Sequence, residues 1–320
     1  MSALKKIDPS TKQVPGSSDR LGAVLPKRSF GRSGELVTNL GVGGWHIGNA
    51  DGESTAQEII ESALEEGIRF FDTAPSYQDG RSEYRYGKFL VPNYRDDVFL
   101  LTKTKARTGA EAIAEIETSL ARMKTDRIDA VLMHAISSND DADERRALEV
   151  VEGFQKAKEQ GKVRYLGFSG HLDTKANLHA LEIWGEAIDV SLCPVNAIDP
   201  SDSDSFITNV LPKMVEMGVA PLAMKSAAYG NFFTQAVEIE GLDTVPVIPG
   251  RVSMKDAFEF VLAQSICCWV SGMDSPEFVA KNAKIAREFK GMDKARCDAI
   301  VAQVAAYRDN KEIEIYRRWG

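Results

Sequence analysis

Cysteine is scarce in this sequence: four residues in 320, Cys193, Cys267, Cys268 and Cys297. No two have C-x-x-C spacing and two are adjacent, so neither a disulfide framework nor a zinc or iron–sulfur site is expected. The four histidines, His46, His134, His171 and His179, include no H-x-x-x-H pair. Long apolar runs are missing as well. None approaches the ~20 residues that span a bilayer, so no membrane partner is expected. The opening stretch MSALKKIDPSTKQVPGSSDR has no apolar segment and reads as neither signal peptide nor anchor. The expectation is a cytoplasmic protein, or a periplasmic one if a leader has been removed. Excess positive charge is absent too: the net charge is −8. Nucleic acid is therefore not expected as a partner, because phosphate binding needs a basic surface.

What is present is an ordinary globular mixture, 43% hydrophobic and 27% charged. A chain of this length buries a core without disulfides or metals. Residues 1–25 are polar, with Pro, Gly and Ser, and are expected to form a mobile arm ahead of a single domain over residues 26–320. Two short strand-like runs around Gly31–Gly34 predict a hairpin leading into a first strand. Strand and helix signals then alternate. Ser54 and Gln57 have capping-box spacing ahead of Ala56, Ile59, Ile60, Ala63 and Leu64. Apolar strands start at Ile68, Val98, Ile128, Val163, Asp189, Val219 and Cys267; helical patterns recur between them, except after the strand from Val219, which precedes a long irregular stretch. The strands are continuous apolar runs rather than alternating ones, as in a parallel sheet covered on both faces.

Counting the strand before Trp45, eight strand–helix units predict an α/β fold, a (β/α)8 TIM barrel with an N-terminal hairpin. No G-x-G-x-x-G follows the first strand, which weakens an open dinucleotide-binding sheet. Residues 293–308 predict an extra C-terminal helix, and Pro212 a break or start within the sixth helix. The loop over residues 226–250 is too long for a plain connection. Its Tyr229, Phe232 and Phe233 either cover the barrel mouth or pin the loop to the rim.

In such a barrel the chemistry sits at the C-terminal strand ends. There the sequence presents Asp72, with Tyr77 in the loop after it, then Lys103, His134 and Ser169. Each alone has an ordinary structural explanation; together they form a chemical set. Reducing a carbonyl needs a hydride for carbon and a proton for oxygen. A free phenol, with a pKa near about 10, is a poor acid at neutral pH. A nearby ammonium favours its ionised form. Lys103 supplies that charge, Asp72 holds Lys103, and His134 orients the carbonyl oxygen or shares in proton relay. No metal is required.

The segment GIRFFDTAPSY (Gly67–Tyr77), followed by Ser82-Glu83 and Gly87-Lys88, resembles the first signature of the aldo-keto reductase family. LLTK ending at Lys103, RIDAVLMH ending at His134 and GKVRYLGFSG (Gly161–Gly170) are similar to later family segments, and GFSGH and CPVN resemble a distant, mostly uncharacterised bacterial branch. The resemblance covers roughly residues 27–290. It implies a catalytic tetrad of Asp72, Tyr77, Lys103 and His134, with Tyr77 as proton donor. It implies a nicotinamide cofactor, NADP(H) by family habit and NAD(H) as the alternative, held by Gly44, Trp45, Asp72, Ser169, Gly170, Lys225, Ser226, Gly272, Met273, Ser275 and Asn282. Trp45, His46, Tyr77 and His134 would wall the substrate pocket, with Ser137 and Ser138 adding polarity. His171 either approaches the nicotinamide or caps the next helix, with capping the preferred reading.

The chain departs from the family at five positions. Gly170 stands where many members have Asn, Leu192 where Gln is usual, and Met224 where an aromatic is common. The Lys and Arg that often grip the ribose 2′-phosphate fall near Gly272 and Phe278. The leading expectation is reduction of a small aldehyde, ketone or sugar. The alternatives on the same barrel are a cofactor-binding regulatory module and a redox-neutral isomerase or epimerase.

Overall fold

The computed structural model describes residues 12–232, 252–309 and 313–318. Two antiparallel hairpins open the chain: β1 (Ser17–Asp19) with β2 (Gly22–Val24), then β3 (Lys27–Ser29) with β4 (Leu36–Thr38). Eight parallel strands follow. They are β5 (Leu40–Gly43), β6 (Phe70–Asp72), β7 (Phe99–Thr104), β8 (Ile128–Met133), β9 (Val163–Ser169), β10 (Val190–Pro194), β11 (Ala220–Met224) and β12 (Cys268–Ser271). Each pairs with the next in chain order, and β12 closes on β5 with Trp269 opposite Leu40, so the sheet is the expected (β/α)8 barrel.

The apolar runs explain the architecture. Along each strand, successive side chains point to opposite faces. Phe71, Leu100 and Val131 point outward and pack beneath the helices. Phe70, Phe99, Leu101, Ala130, Leu132, Leu192 and Leu222 point inward and fill the barrel. Gly41 also faces inward, where a Cβ would lie 2.7 Å from the Phe70 ring, so its missing side chain makes room for Phe70.

The β3–β4 hairpin plugs the N-terminal end of the barrel. The Phe30 ring after β3 lies 4.9 Å from Phe99 and 5.0 Å from Tyr165. Buried Arg28 anchors the plug by donating to the carbonyls of Leu262 (2.7 Å) and Ile266 (3.0 Å).

The mobile arm expected over residues 1–25 is corrected for its second half. Val14 bridges Lys27, the Leu25 amide donates to Gly67 (3.0 Å), and Arg69 donates to the Asp19 carboxylate at 2.8 and 3.0 Å. Leu25 is buried. Polar composition had suggested mobility, but partners 13 (Lys27), 42 (Gly67) and 50 (Arg69) residues away in sequence tie this segment down. Residues 1–11 lie outside the described residues.

The capping box at Ser54 and Gln57 is not formed. The helix Gly52–Glu65 begins earlier, at Gly52 with φ +83°, and no side chain caps it. Around Pro212, a π-helical turn (Phe206–Val210) passes into the α-helix Leu211–Glu216, with the proline in its first turn. The extra C-terminal helix is Lys294–Val304. Among the described residues, no helix is long and apolar enough to cross a membrane.

Phe30 is buried and touches two barrel strands, so Phe30→Ala is expected to lower stability by roughly 3–5 kcal/mol. Chemical denaturation of the two proteins side by side measures this.

Candidate active site

The two-residue period of the strands lifts the reactive groups into one layer. Asp72 follows inward-facing Phe70 by two residues, Lys103 follows Leu101, and His134 follows Leu132. The layer above the apolar filling is therefore polar, and it opens into a cavity of about 590 Å³ at the C-terminal strand ends.

Lys103 is buried and forms an ion pair with Asp72, which is also buried. The same ammonium donates to the Thr73 carbonyl at 2.9 Å and to the Tyr77 hydroxyl oxygen at 3.1 Å, with its nitrogen 4.8 Å from the Tyr77 ring centre. Burial alone disfavours the charged lysine. Asp72 and Tyr77 more than offset this and hold Lys103 above the ordinary lysine value. The His134 ring meets Tyr77 edge-on, with centroids 5.9 Å apart, and its Nδ1 lies 3.3 Å from Ser76 Oγ. Burial, reinforced by Lys103 and Lys105, pushes His134 well below the usual histidine value, so the imidazole is neutral at pH 7. The four groups expected from the strand ends thus converge.

The loop bearing Tyr77 is held by groups whose positioning role was not drawn from the sequence. Thr73 Oγ1 and Ser82 Oγ are 2.7 Å apart, and Ser82 donates to the Gly44 carbonyl at 2.7 Å. Glu83 accepts from Thr102 at 2.6 Å and is paired with Arg122. Arg85 donates to the carbonyls of Ile47 (2.6 Å), Gly48 (3.1 Å) and Ala50 (3.1 Å). The signal available was Ser82-Glu83, part of the motif that marks the loop.

Of the expected binding residues, Trp45, His46, Asp72, Ser169, Lys225, Ser226, Gly272 and Asn282 line the cavity. Gly44, Gly170, Met273 and Ser275 do not. A Cβ on Gly44 would sit 2.2 Å from the Asp72 carbonyl, and one on Gly170 would sit 2.0 Å from Asn177 Oδ1, so both are packing glycines. Met273 is buried in the core outside the barrel. Ser275 caps the helix Pro276–Glu288, accepting from the Phe278 amide. Ser137 and Ser138 also turn away: Ser138 caps the helix Asn139–Ala147, and Ser137 binds Asp141.

Of the two readings of His171, capping is corrected. Asp173 caps the helix Thr174–Trp184, while His171 lines the cavity. Burial and then Lys225 push His171 down to about 4. Burial also lowers His46, whose ring rests on Gly272, although Asp274 opposes the shift. Lys225, in the left-handed region at φ +57°, is brought down to about 8 by burial and by the charge of Lys103. Ser271, Asp274, Met254 and Phe258 complete parts of the wall that sequence reading did not assign. Phe232 is buried; Phe233, the Tyr229 side chain and residues 234–251 lie outside the described residues.

The sequence profile described as the Aldo/keto reductase family matches residues 39–224, more than half of the chain. L-galactose dehydrogenase from Arabidopsis thaliana is 27% identical over 306 residues, 86% of this chain and 93% of that protein. An uncharacterized oxidoreductase from Bacillus subtilis (strain 168) is 34% identical over 157 residues, 45% of this chain and 49% of its own. The match thus spans about half the length of that relative. Among solved structures, an aldo-keto reductase from Bacillus halodurans (holo form) superposes with a TM-score of 0.70 at 24% identity, covering 87% of this chain and 95% of its own. One from Klebsiella pneumoniae in complex with NADPH gives 0.67 at 21%, covering 88% and 94%. At these identities the structures show a common fold, and the profile match shows the relationship. The chain belongs to the aldo/keto reductase family, a family of oxidoreductases.

Proposed function

We propose that this chain reduces the carbonyl of a small aldehyde, ketone or sugar to an alcohol, with a nicotinamide dinucleotide, NADP(H) or NAD(H), as hydride carrier and Tyr77 as proton donor. The observation that carries this reading is the 3.1 Å contact between the Tyr77 hydroxyl and an ammonium held by Asp72 inside the barrel. As the Tyr77 proton leaves for the carbonyl oxygen, Lys103 stabilises the negative charge that develops on the phenol oxygen. His134, neutral, donates a hydrogen bond that orients the same carbonyl oxygen.

The wall opposite fits a polar dinucleotide. Ser226 Oγ and Asn282 Oδ1 are buried without a hydrogen-bond partner among the described residues, and both residues line the cavity. A bound nucleotide would satisfy them. Lys225 and Ser226 would hold its pyrophosphate. Ser169 Oγ accepts from the Ala135 amide at 3.0 Å, which leaves its hydroxyl hydrogen for the carboxamide. When bound, the nicotinamide supplies or accepts the hydride. Trp45, His46 and His171 give the remaining wall a mixed aromatic and polar character that suits a hydroxylated substrate better than a bulky apolar ketone.

Tyr77→Phe is expected to lower kcat by roughly 10²–10⁴-fold while cofactor affinity is kept. Following cofactor absorbance with a panel of small carbonyls tests this, and a variant that keeps wild-type kcat overturns the role of Tyr77. Lys103→Met removes the partner of a buried carboxylate and is expected to cost roughly 3–5 kcal/mol of stability as well as activity. Denaturant titration reads the stability part.

The Lys225 ammonium is charged below about pH 8 and neutral above it. The KM for cofactor is therefore expected to rise as pH climbs through about 8. In Lys225→Arg it should stay level, because arginine remains charged. A pH profile of KM that is identical in the two proteins rules this out.

A further inference from the structure

We infer that Asp274 sets the coenzyme of this chain, favouring NAD(H) over NADP(H) by accepting a hydrogen bond from the adenosine ribose 2′-hydroxyl and repelling a 2′-phosphate. The inference rests on the nicotinamide reading above and narrows it.

The argument begins with where charge lies along the cavity. Around the ring of eight strands, β12 stands opposite β8. A dinucleotide whose reacting ring lies at Tyr77 and His134 therefore carries its adenosine across the mouth to the β12 side. The lysines of the cavity wall are Lys103 and Lys225, and no arginine lines it among the described residues. Lys103 is paired with Asp72, and Lys225, which feels the charges of both Lys103 and Asp72, is taken up by the pyrophosphate in the reading above.

At the β12 side the wall carries Asp274 instead. Its side chain is exposed to the cavity, and among the described residues no hydrogen bond or ion pair engages the carboxylate. On the same side, the buried Asn282 presents its unpartnered Oδ1, so a second polar group there awaits a ligand.

A 2′-phosphate would have to find compensation at the N-terminus of the helix Pro276–Glu288, and little is available. Pro276 has no N–H, and the Phe278 amide already donates to Ser275 Oγ at 3.3 Å. Lys281, the nearest cation on that helix, is paired with Glu277 at 3.1 Å. A phosphate placed beside Asp274 meets a like charge, and among the described residues no arginine and no lysine besides Lys103 and Lys225 lines the cavity to offset it. A 2′-hydroxyl there meets an acceptor, the arrangement by which an acidic residue selects NAD over NADP in dinucleotide sites generally.

The test titrates the purified full chain with NADH and with NADPH separately, following tryptophan emission, since Trp45 and Trp269 line the cavity. kcat/KM is measured alongside for both coenzymes with one carbonyl substrate. Wild type should bind NADH more tightly than NADPH by about tenfold or more. Asp274→Ser should close that gap from both sides, and Asp274→Ser with Phe278→Arg should reverse it. Thermal melts of the variants confirm that they fold.

Equal or tighter binding of NADPH by wild type overturns the inference, as does an unchanged ratio in Asp274→Ser. If neither nucleotide binds, the nicotinamide reading falls with it. If NADH binds preferentially but turnover is indifferent to Tyr77→Phe, the proposed chemistry fails while the role of Asp274 stands.

Discussion

The ion pair between Lys103 and Asp72 is the constraint around which the upper half of this barrel is organised. Two charges removed from water carry a desolvation penalty of several kcal/mol each, and their attraction offsets it only when further hydrogen bonds complete the geometry. Lys103 finds them in the Thr73 carbonyl and the Tyr77 hydroxyl. The pair also needs a rigid frame, and the closed parallel sheet provides it: Asp72 lies opposite Leu101 in the register of β6 and β7, two residues before Lys103. Beneath it, the apolar filling from Phe70 to Leu222 keeps water out.

The loop that carries Tyr77 is subject to the same demand for precision. It leaves β6 and passes through two consecutive non-glycine residues with positive φ, Gln78 at +47° and Asp79 at +54°. Such backbone persists only where surrounding contacts over-determine it. The bonds from Ser82 to Thr73 and Gly44, from Glu83 to Thr102, and from Arg85 to three carbonyls are those contacts. They explain why Ser82-Glu83 accompanies Tyr77 in sequence: these residues hold the loop that carries it.

Around this frame the charge is graded. The cavity wall holds Lys103 beside Tyr77, and Lys225, and burial lowers the three imidazoles of the wall, with His171 brought down to about 4. The opposite end, after β12, is acidic. The coenzyme preference proposed above rests on this gradient.

Much of this was legible in the sequence, for reasons that are local. Continuous apolar runs of strand length separated by helical periods specify a parallel barrel, and a side-chain period of two makes the polar residue ending each run point into the mouth. Asp72, Lys103, His134 and Ser169 follow from that rule, and Tyr77 from its motif. The rule stops at the strand end. Whether a loop residue faces the cavity depends on what packs behind it, and those neighbours come from elsewhere in the chain. Gly44 is pressed against the Asp72 carbonyl, Gly170 against Asn177, and Met273 into the outer core, so none of them lines the cavity. His171 is freed for the wall because Asp173 takes the helix cap. The second half of the polar N-terminal arm is ordered by Lys27, Gly67 and Arg69. The sequence by itself determined the barrel and the groups at its strand ends, because period and polarity act between near neighbours. Tertiary structure alone decided which loop side chains form the wall, because that is settled by contacts between segments far apart in the chain.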